Sequence, residues 1–227
     1  MTQPKETWAA LTLVPIGLTG LYYVLPVAFQ QLLLVQFLPQ ISGYLCLGLW
    51  AHRNTDIVKR LGLDPQGQSL GVRWGATVGL VLGILNTIVI LWVVPLIGND
   101  ISFLRETPHA KVSTWIMIPW FIMAIAIFVE LNFRGFLLGR LHGMFNQGMD
   151  VPGFGSEKAG FAIVISAIVF SFDPFMVATF RHLHWIAVWD GVIWGAMWIW
   201  MRNLYAVILA HAIEVVILYL CVKNALT

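Results

Sequence analysis

Six ionisable side chains fall within segments that are otherwise apolar, and these residues are the ones with which the chain could do chemistry. They are Glu130, Arg134, Asp173, Asp190, His211 and Glu214. Charged groups inside an apolar span are costly to bury, and by default they mark a function or a buried ion pair. The chemistry open to them is ion pairing, metal ligation or a hydrogen bond between carboxylate and imidazole.

Two pairs among these residues share a helix face. Glu130 and Arg134 are four residues apart, which predicts an ion pair that neutralises both charges. His211 and Glu214 are three apart and could present two metal ligands, with His182 and His184 in a nearby loop. No two histidines are four residues apart, however, and a zinc site usually needs three protein ligands. We therefore predict no metal site and interpret His211 as a buried histidine bonded to a carboxylate.

Asp173 precedes Pro174 in the middle of an apolar segment. Proline removes a helical hydrogen bond and disfavours helical geometry at the residue before it. The pair predicts a kink, whose opened backbone groups Asp173 or a neighbouring helix would satisfy.

The composition of the chain indicates a bilayer as its solvent. Of the 227 residues, 59% are hydrophobic and 11% are charged, with a mean hydropathy of +0.82. Soluble domains carry roughly 25% charged residues. The net charge of +2 indicates no nucleic-acid partner. Cys46 and Cys221 both lie in apolar runs, which makes a disulfide framework or a cysteine metal site improbable.

We predict an all-α integral membrane protein, a polytopic bundle of about seven transmembrane helices within a range of six to eight. The predicted spans are 8–29, 31–50, 75–97, 113–133, 158–180, 185–201 and 204–222. An eighth, re-entrant element within 136–156 is an alternative. Residues 1–74 would form an N-terminal hairpin and a basic cytoplasmic loop, and 75–227 the bundle. This arrangement puts nine of the thirteen basic residues, Lys5 among them, on the side of the N-terminus, which indicates that the N-terminus is cytoplasmic.

Glycines at four-residue spacing occur in two of the predicted spans. Gly75, Gly79 and Gly83 share one face of the third span, and Gly191 and Gly195 repeat the pattern in the sixth. Small residues at this spacing let helix backbones approach closely in lipid. We favour packing within the bundle over an interface with a partner.

Three segments together resemble a known family. Glu130-Leu-Asn-Phe133-Arg134-Gly135 is similar to the first motif, Glu-Glu-x-x-x-Arg, of the CAAX-protease and bacteriocin-processing (CPBP, or abortive-infection) membrane proteases. The segment that ends at Phe170 is similar to the start of the second motif, Phe-x-x-x-His. The segment around His211 is similar to the third, His-x-x-x-Asn or Asp. The resemblance covers about residues 113–222 and implies a glutamate general base that activates water, with histidines that position it.

The chain departs from this family pattern at the positions that the family uses for catalysis. Val129 stands where the first glutamate, the base, is expected. Pro174 takes the place of the second-motif histidine, and Val215 that of the third-motif partner. An alternative alignment, which takes Phe180-Arg-His-Leu-His184 as the second motif, would restore a histidine.

The sequence therefore predicts a CPBP-like membrane protein that is not proteolytic and serves as a scaffold or an accessory subunit of a larger membrane complex. The resemblance implies the bacterial cytoplasmic membrane as its location, and the bilayer and other membrane proteins as its partners. The alternative is an active intramembrane endopeptidase that uses Glu130, His184 and His211. A second alternative is a haem-, pigment- or metal-binding membrane protein, although we predict no cofactor.

Overall fold

The computed structural model describes residues 6–148 and 155–226, and every regular element in these ranges is helical. Seven apolar helical segments make up most of the described chain. In chain order they are α1 Ala9–Tyr22, α2 Leu33–Arg53, α3 Pro65–Leu96, α4 Thr114–Asn146, α5 Glu157–Ser171, α6 Pro174–Met201 and α7 Leu204–Leu226. Four short helices lie between them: Val27–Gln30, Ile57–Arg60, Ser102–Glu106 and Pro108–Lys111. The predicted fold class, an all-α integral membrane protein, is confirmed.

Four of these segments, α2, α3, α4 and α7, are long and apolar enough to cross a bilayer by length and composition. The pair α5 and α6 passes the same test together, with a bend of 54° between them, and would raise the number among the described residues to five. The first helix, α1, is shorter than a span needs because it ends at Tyr22 and not near residue 29. The predicted eighth element within 136–156 falls partly outside the described residues, as does Lys5; up to Asn146 the chain continues as α4.

The break between α5 and α6 lies at Asp173 and Pro174, which confirms the predicted kink within the span 158–180. Pro174 begins a helix because its fixed φ suits the first helical position and its missing N–H is not needed there. The α-helix that begins at Pro174 ends at Phe180, where the predicted span ends. The 3-10 turn Arg181–Trp185 joins it, within α6, to the α-helix Ile186–Met201, which matches the predicted span 185–201.

The chain divides into two compact units that alternate along the sequence. The first unit comprises Met1–Asp64 and Leu131–Arg202, and the second comprises Pro65–Glu130 and Asn203–Thr227. The sequence predicted a different division, into the consecutive segments 1–74 and 75–227, and that division stays a prediction.

The second unit is built on the contact of α3 with α7. Gly75, Gly79 and Gly83 are buried, and a Cβ atom at Gly75 or Gly79 would lie 2.5 or 2.6 Å from a backbone oxygen of α7. The two helix backbones therefore touch along the glycine face. The glycine face serves packing within the unit.

The first unit packs α5 against α6 in the same way. A Cβ atom on Gly191 would lie 2.9 Å from the Cα of Ala167, and one on Gly195 would lie 3.1 Å from Ile163. A second cluster of buried apolar side chains in this unit centres on Trp50 and Phe136, both fully buried.

Replacing Gly79 by alanine should destabilise the protein by about 1–3 kcal/mol, because the added methyl group would press on the backbone of Ala210. Gly48→Ala is the matched control. Gly48 lies inside α2 with nothing within 4 Å of its Cβ position, so alanine should stabilise its helix by roughly 0.5–1 kcal/mol. Thermal unfolding of the purified protein in detergent measures both changes, and equal shifts would contradict the close contact of α3 with α7.

Candidate functional site

Glu130 and His211 form a hydrogen-bonded pair inside the second unit. Glu130 lies at the end of that unit's part of α4, and His211 lies on α7. The Nδ1 atom of His211 is 2.7 Å from Oε1 of Glu130. Glu130 is fully buried and His211 is 9% exposed. The prediction of a buried histidine bonded to a carboxylate describes this pair.

This bond fixes how the imidazole can act. When the carboxylate of Glu130 is ionised it only accepts hydrogen bonds, and Nδ1 of His211 is then the donor. In the neutral ring Nε2 is then the basic nitrogen. A carboxylate that orients an imidazole in this way can hold a proton on the ring or stabilise the ring when it is charged.

A second polar pair lies in the same unit, between α3 and α7. The Nδ2 atom of Asn86 donates to Oε1 of Glu214 over 2.7 Å, and both side chains are buried. Glu214 follows His211 by three residues, so α7 carries one member of each pair. The interior of the second unit thus holds two carboxylates, an imidazole and a carboxamide.

Asn86 is a site residue that the sequence reasoning missed. It follows Gly83 by three residues and so continues the glycine face of α3. The face that touches α7 therefore ends in an amide directed at Glu214. The sequence signal that could have identified Asn86 is its position, on the same helix face as the glycines of an apolar span.

Arg134 and its motif neighbours belong to the first unit, in a π-helical stretch of α4, Leu131–Leu138. The guanidinium of Arg134 lies 4.4 Å from the centre of the Phe170 ring and 5.0 Å from that of Trp194. Phe133 meets the Phe170 ring edge-to-face at 5.3 Å. Arg134, Phe133 and Gly135 are all buried. These motif residues form a packed aromatic and cationic cluster, and the ion pair of Arg134 with Glu130 stays a prediction.

Asp173 caps α6. Its Oδ1 atom accepts hydrogen bonds from the backbone N–H groups of Phe175 and Met176, at 3.1 and 3.2 Å. Gln40 of α2 donates to the same oxygen at 2.8 Å. Asp173 is 3% exposed. The backbone donors opened by the break are therefore satisfied by this carboxylate, as the kink predicted.

His184, the histidine of the alternative alignment, lies in the 3-10 turn within α6. Its Nδ1 atom is 2.5 Å from the carbonyl oxygen of Arg181, and its ring meets that of Phe172 edge-to-face at 5.2 Å. Both contacts are local to the first unit. Asp190, the remaining ionisable residue of the spans, is buried in α6.

Among the described residues no group of three or more histidine, cysteine, aspartate or glutamate side chains could hold a metal ion. In this part of the chain His182 and His184 therefore have no third histidine, cysteine, aspartate or glutamate with which to bind a metal ion.

One comparison with known proteins identifies the region that holds these residues. The family model described as Type II CAAX prenyl endopeptidase Rce1-like matches residues 111–217, a little under half of the chain. The match includes Glu130, Arg134, Phe170 and His211, and it confirms the resemblance to the CAAX proteases. No curated protein and no solved structure matches the chain.

The bond between Glu130 and His211 should appear as strong coupling in a double-mutant cycle. Each single change to alanine leaves a buried polar partner and should cost about 3–5 kcal/mol. The double change should cost less than the sum by about 0.5–3 kcal/mol, measured by unfolding in detergent. The exposed pair Glu106 and Lys111, 2.9 Å apart, is the control and should show no measurable coupling. Additive losses at Glu130 and His211 would contradict the bond.

Arg134→Lys should destabilise the first unit although it keeps the charge. Lysine lacks the planar guanidinium that stacks on Phe170 and Trp194. The loss should be about 2 kcal/mol, because the contact is buried. Arg53→Lys is the control, since Arg53 stacks 4.7 Å from the half-exposed Trp8 ring. A larger shift of the unfolding temperature at Arg53 than at Arg134 would refute the role given to Arg134.

Proposed function

We propose that this chain retains a CPBP-type membrane fold without its proteolysis, because the family model of Rce1-like type II CAAX prenyl endopeptidases matches residues 111–217. We propose further that it serves as a scaffold or an accessory subunit of a larger membrane complex. That it is a CPBP-type integral membrane protein is shown by the family match and the apolar helices.

The state of the first motif carries the proposal. The position of the family's base is Val129, a half-buried aliphatic residue that cannot accept a proton. Its neighbour Glu130 points about 100° away around the helix. Glu130 is also fully buried and bonded to His211. A carboxylate so placed supports the helices that carry it and has no exposed oxygen for water.

The second motif supports the same conclusion. Pro174 replaces the expected histidine and has no side-chain donor or acceptor. It begins α6, while Asp173 before it is occupied as the helix cap. Three of the retained motif residues, Phe133, Arg134 and Phe170, contact one another or Trp194. These three motif residues are therefore used in packing.

The glycine faces contact helices of the same unit, so they are not available to a partner subunit. Support for a partner comes instead from exposed aromatic side chains. Trp92, Trp115, Trp120 and Trp200 are 69%, 89%, 71% and 69% exposed. Tryptophan supplies large contact area in membrane protein interfaces and also anchors helices at the edge of the bilayer. A partner subunit would cover some of these side chains.

The second candidate function is a membrane endopeptidase, and the bond of Glu130 to His211 favours it. A carboxylate and an imidazole 2.7 Å apart are a pairing that general base catalysis uses. In this case Glu130 and His211, with His184, would carry the reaction.

A cleavage assay separates the two functions. The full-length protein, purified in detergent, is given a fluorogenic prenylated CAAX peptide, the substrate class that the family description names. We expect wild type, Glu130→Gln, His211→Asn and the exposed control Glu106→Gln to show the same background rate. Cleavage by wild type and Glu106→Gln that falls a hundredfold or more in Glu130→Gln would establish the endopeptidase.

Gentle extraction from native membranes tests the accessory role independently. We expect the chain to migrate in one discrete complex with fixed stoichiometry to other polypeptides, measured by quantitative mass spectrometry. Migration as a lone monomer or homodimer would overturn this role.

A further inference from the structure

Three consecutive residues before α1 cross the end of α2, and side chains of the first unit hold each of them. They are residues 6–8, here called the strap, with the sequence Glu6-Thr7-Trp8. Thr7 and Trp8 are exposed, and Glu6 is partly buried. The strap belongs to no helix, so contacts with side chains hold it in place. The proposed function makes no use of it.

Thr7 is bound through its backbone by the carboxamide of Asn54. The N–H of Thr7 donates to Oδ1 of Asn54 at 2.9 Å, and Nδ2 of Asn54 donates to the carbonyl oxygen of Thr7 at 2.9 Å. The same Nδ2 atom donates to the carbonyl oxygen of Trp50 at 2.8 Å, in the last turn of α2, which fixes the orientation of the amide. A carboxamide that bonds to both backbone groups of one residue can recognise an extended peptide whatever side chain that residue carries.

Glu6 places its carboxylate among donors that packing has already oriented. The indole N–H of Trp50 donates to Oε1 of Glu6 at 2.8 Å, and Arg140 forms an ion pair with the same oxygen. Arg60 approaches Oε2 at 3.7 Å. Trp50 is fully buried, and the guanidinium of Arg140 lies 4.0 Å from the centre of its ring. These side chains form a pocket for a carboxylate.

Trp8 completes the strap with an aromatic contact and a strained backbone. The guanidinium of Arg53 lies 4.7 Å from the centre of the Trp8 ring, which is 47% exposed. The φ angle of Trp8 is 61°, in the left-handed region that bulky residues rarely adopt. Release of the strap relieves this strain, which lowers the cost of exchanging the strap for another peptide.

These contacts lie where a candidate membrane span ends. The helix α2 ends at Arg53, and Asn54 is the next residue. Arg53 is exposed, as is Thr7 on the opposite side of the contact. A polar site at the end of a span lies beside water, where a segment of another protein can reach it.

We propose that the side chains around the strap form a peptide-docking site, which the strap occupies as an autoinhibitory contact. The partner is an extended segment of another protein that carries an acidic residue and, two positions later, an aromatic one. Bonds to the backbone supply affinity, and the contacts made by the acidic and aromatic side chains supply specificity. The partner remakes the contacts that the strap gives up, so the exchange costs little, as in the swapping of identical elements between protomers. This inference goes beyond the accessory role and does not depend on it.

The test measures binding of a labelled peptide to the full-length protein in detergent by fluorescence anisotropy. The probe is a synthetic peptide of residues 3–10, which contains the strap sequence. The strap variant, Glu6→Gln with Thr7→Pro, removes the carboxylate and the backbone N–H from the chain's own strap. We expect the peptide to bind the strap variant saturably. It should bind wild type about tenfold more weakly or worse, because the tethered strap competes at an effective concentration of about 1 mM.

Changes in the peptide test each contact without altering the protein. A peptide that carries Glu6→Gln, and one that is N-methylated at the amide of Thr7, should each bind the strap variant about tenfold more weakly. Asn54→Ala, added to the strap variant, should weaken the unmodified peptide by a similar factor. Asn99→Ala is the matched control, since Asn99 is an exposed asparagine just beyond the end of α3, and it should leave the affinity unchanged.

Wild type supplies a second measurement, which decides the matter if the strap variant does not fold. Excess peptide should displace the strap and speed hydrogen exchange at the amide of Thr7, whose N–H donates to Asn54.

Three results would each overturn the docking site. They are a folded strap variant that does not bind the peptide, altered peptides that bind as tightly as the unmodified one, and exchange at Thr7 that excess peptide leaves unchanged. Peptide binding by a chain that forms no native complex would leave the docking site standing and remove the accessory role.

Discussion

Polar groups that helices carry into an apolar interior must find their partners within the protein, and the second unit is arranged around that constraint. Glu130 has His211, and Glu214 has Asn86, each at 2.7 Å. Asn86 reaches Glu214 because the backbones of α3 and α7 touch along the glycine face, whereas His211 of α7 meets Glu130 of α4. In a bilayer no water would replace these bonds, so the close approach of the helices and the pairing of the side chains depend on each other.

The first unit meets the same constraint by other means. Arg134 is surrounded by the faces of aromatic rings, which attract a cation without removing its charge. Asp173 takes up the backbone donors that Pro174 exposes at the break of 54°. In both cases a residue of a protease-like motif, or the residue next to one, serves the architecture.

If the chain is not proteolytic, as proposed, these uses explain why it would retain the residues of the family motifs. The arginine, phenylalanine and histidine of the motifs support helix packing as well as any reaction, so their loss would cost stability. Val129 is a half-buried aliphatic residue and Pro174 begins a helix, so both are compatible with the fold. A chain released from catalysis would keep the first group and change the second.

The sequence by itself determined the class of protein and most of its helices, and it indicated the resemblance to the CAAX proteases. Low charge and long apolar runs require a bilayer, and the order and spacing of the motifs around Glu130, Phe170 and His211 carry the family resemblance. Glycine spacing also indicated a close helix contact, and Pro174 indicated the kink. Each of these patterns can be recognised within the sequence of a single helix. Only the tertiary structure decided the partners. His211 pairs with Glu130, Asn86 pairs with Glu214, and aromatic rings contact Arg134. The residues in each of these contacts lie 36 or more positions apart in the sequence. A single sequence contains no distance between helices, so such pairings follow from packing alone.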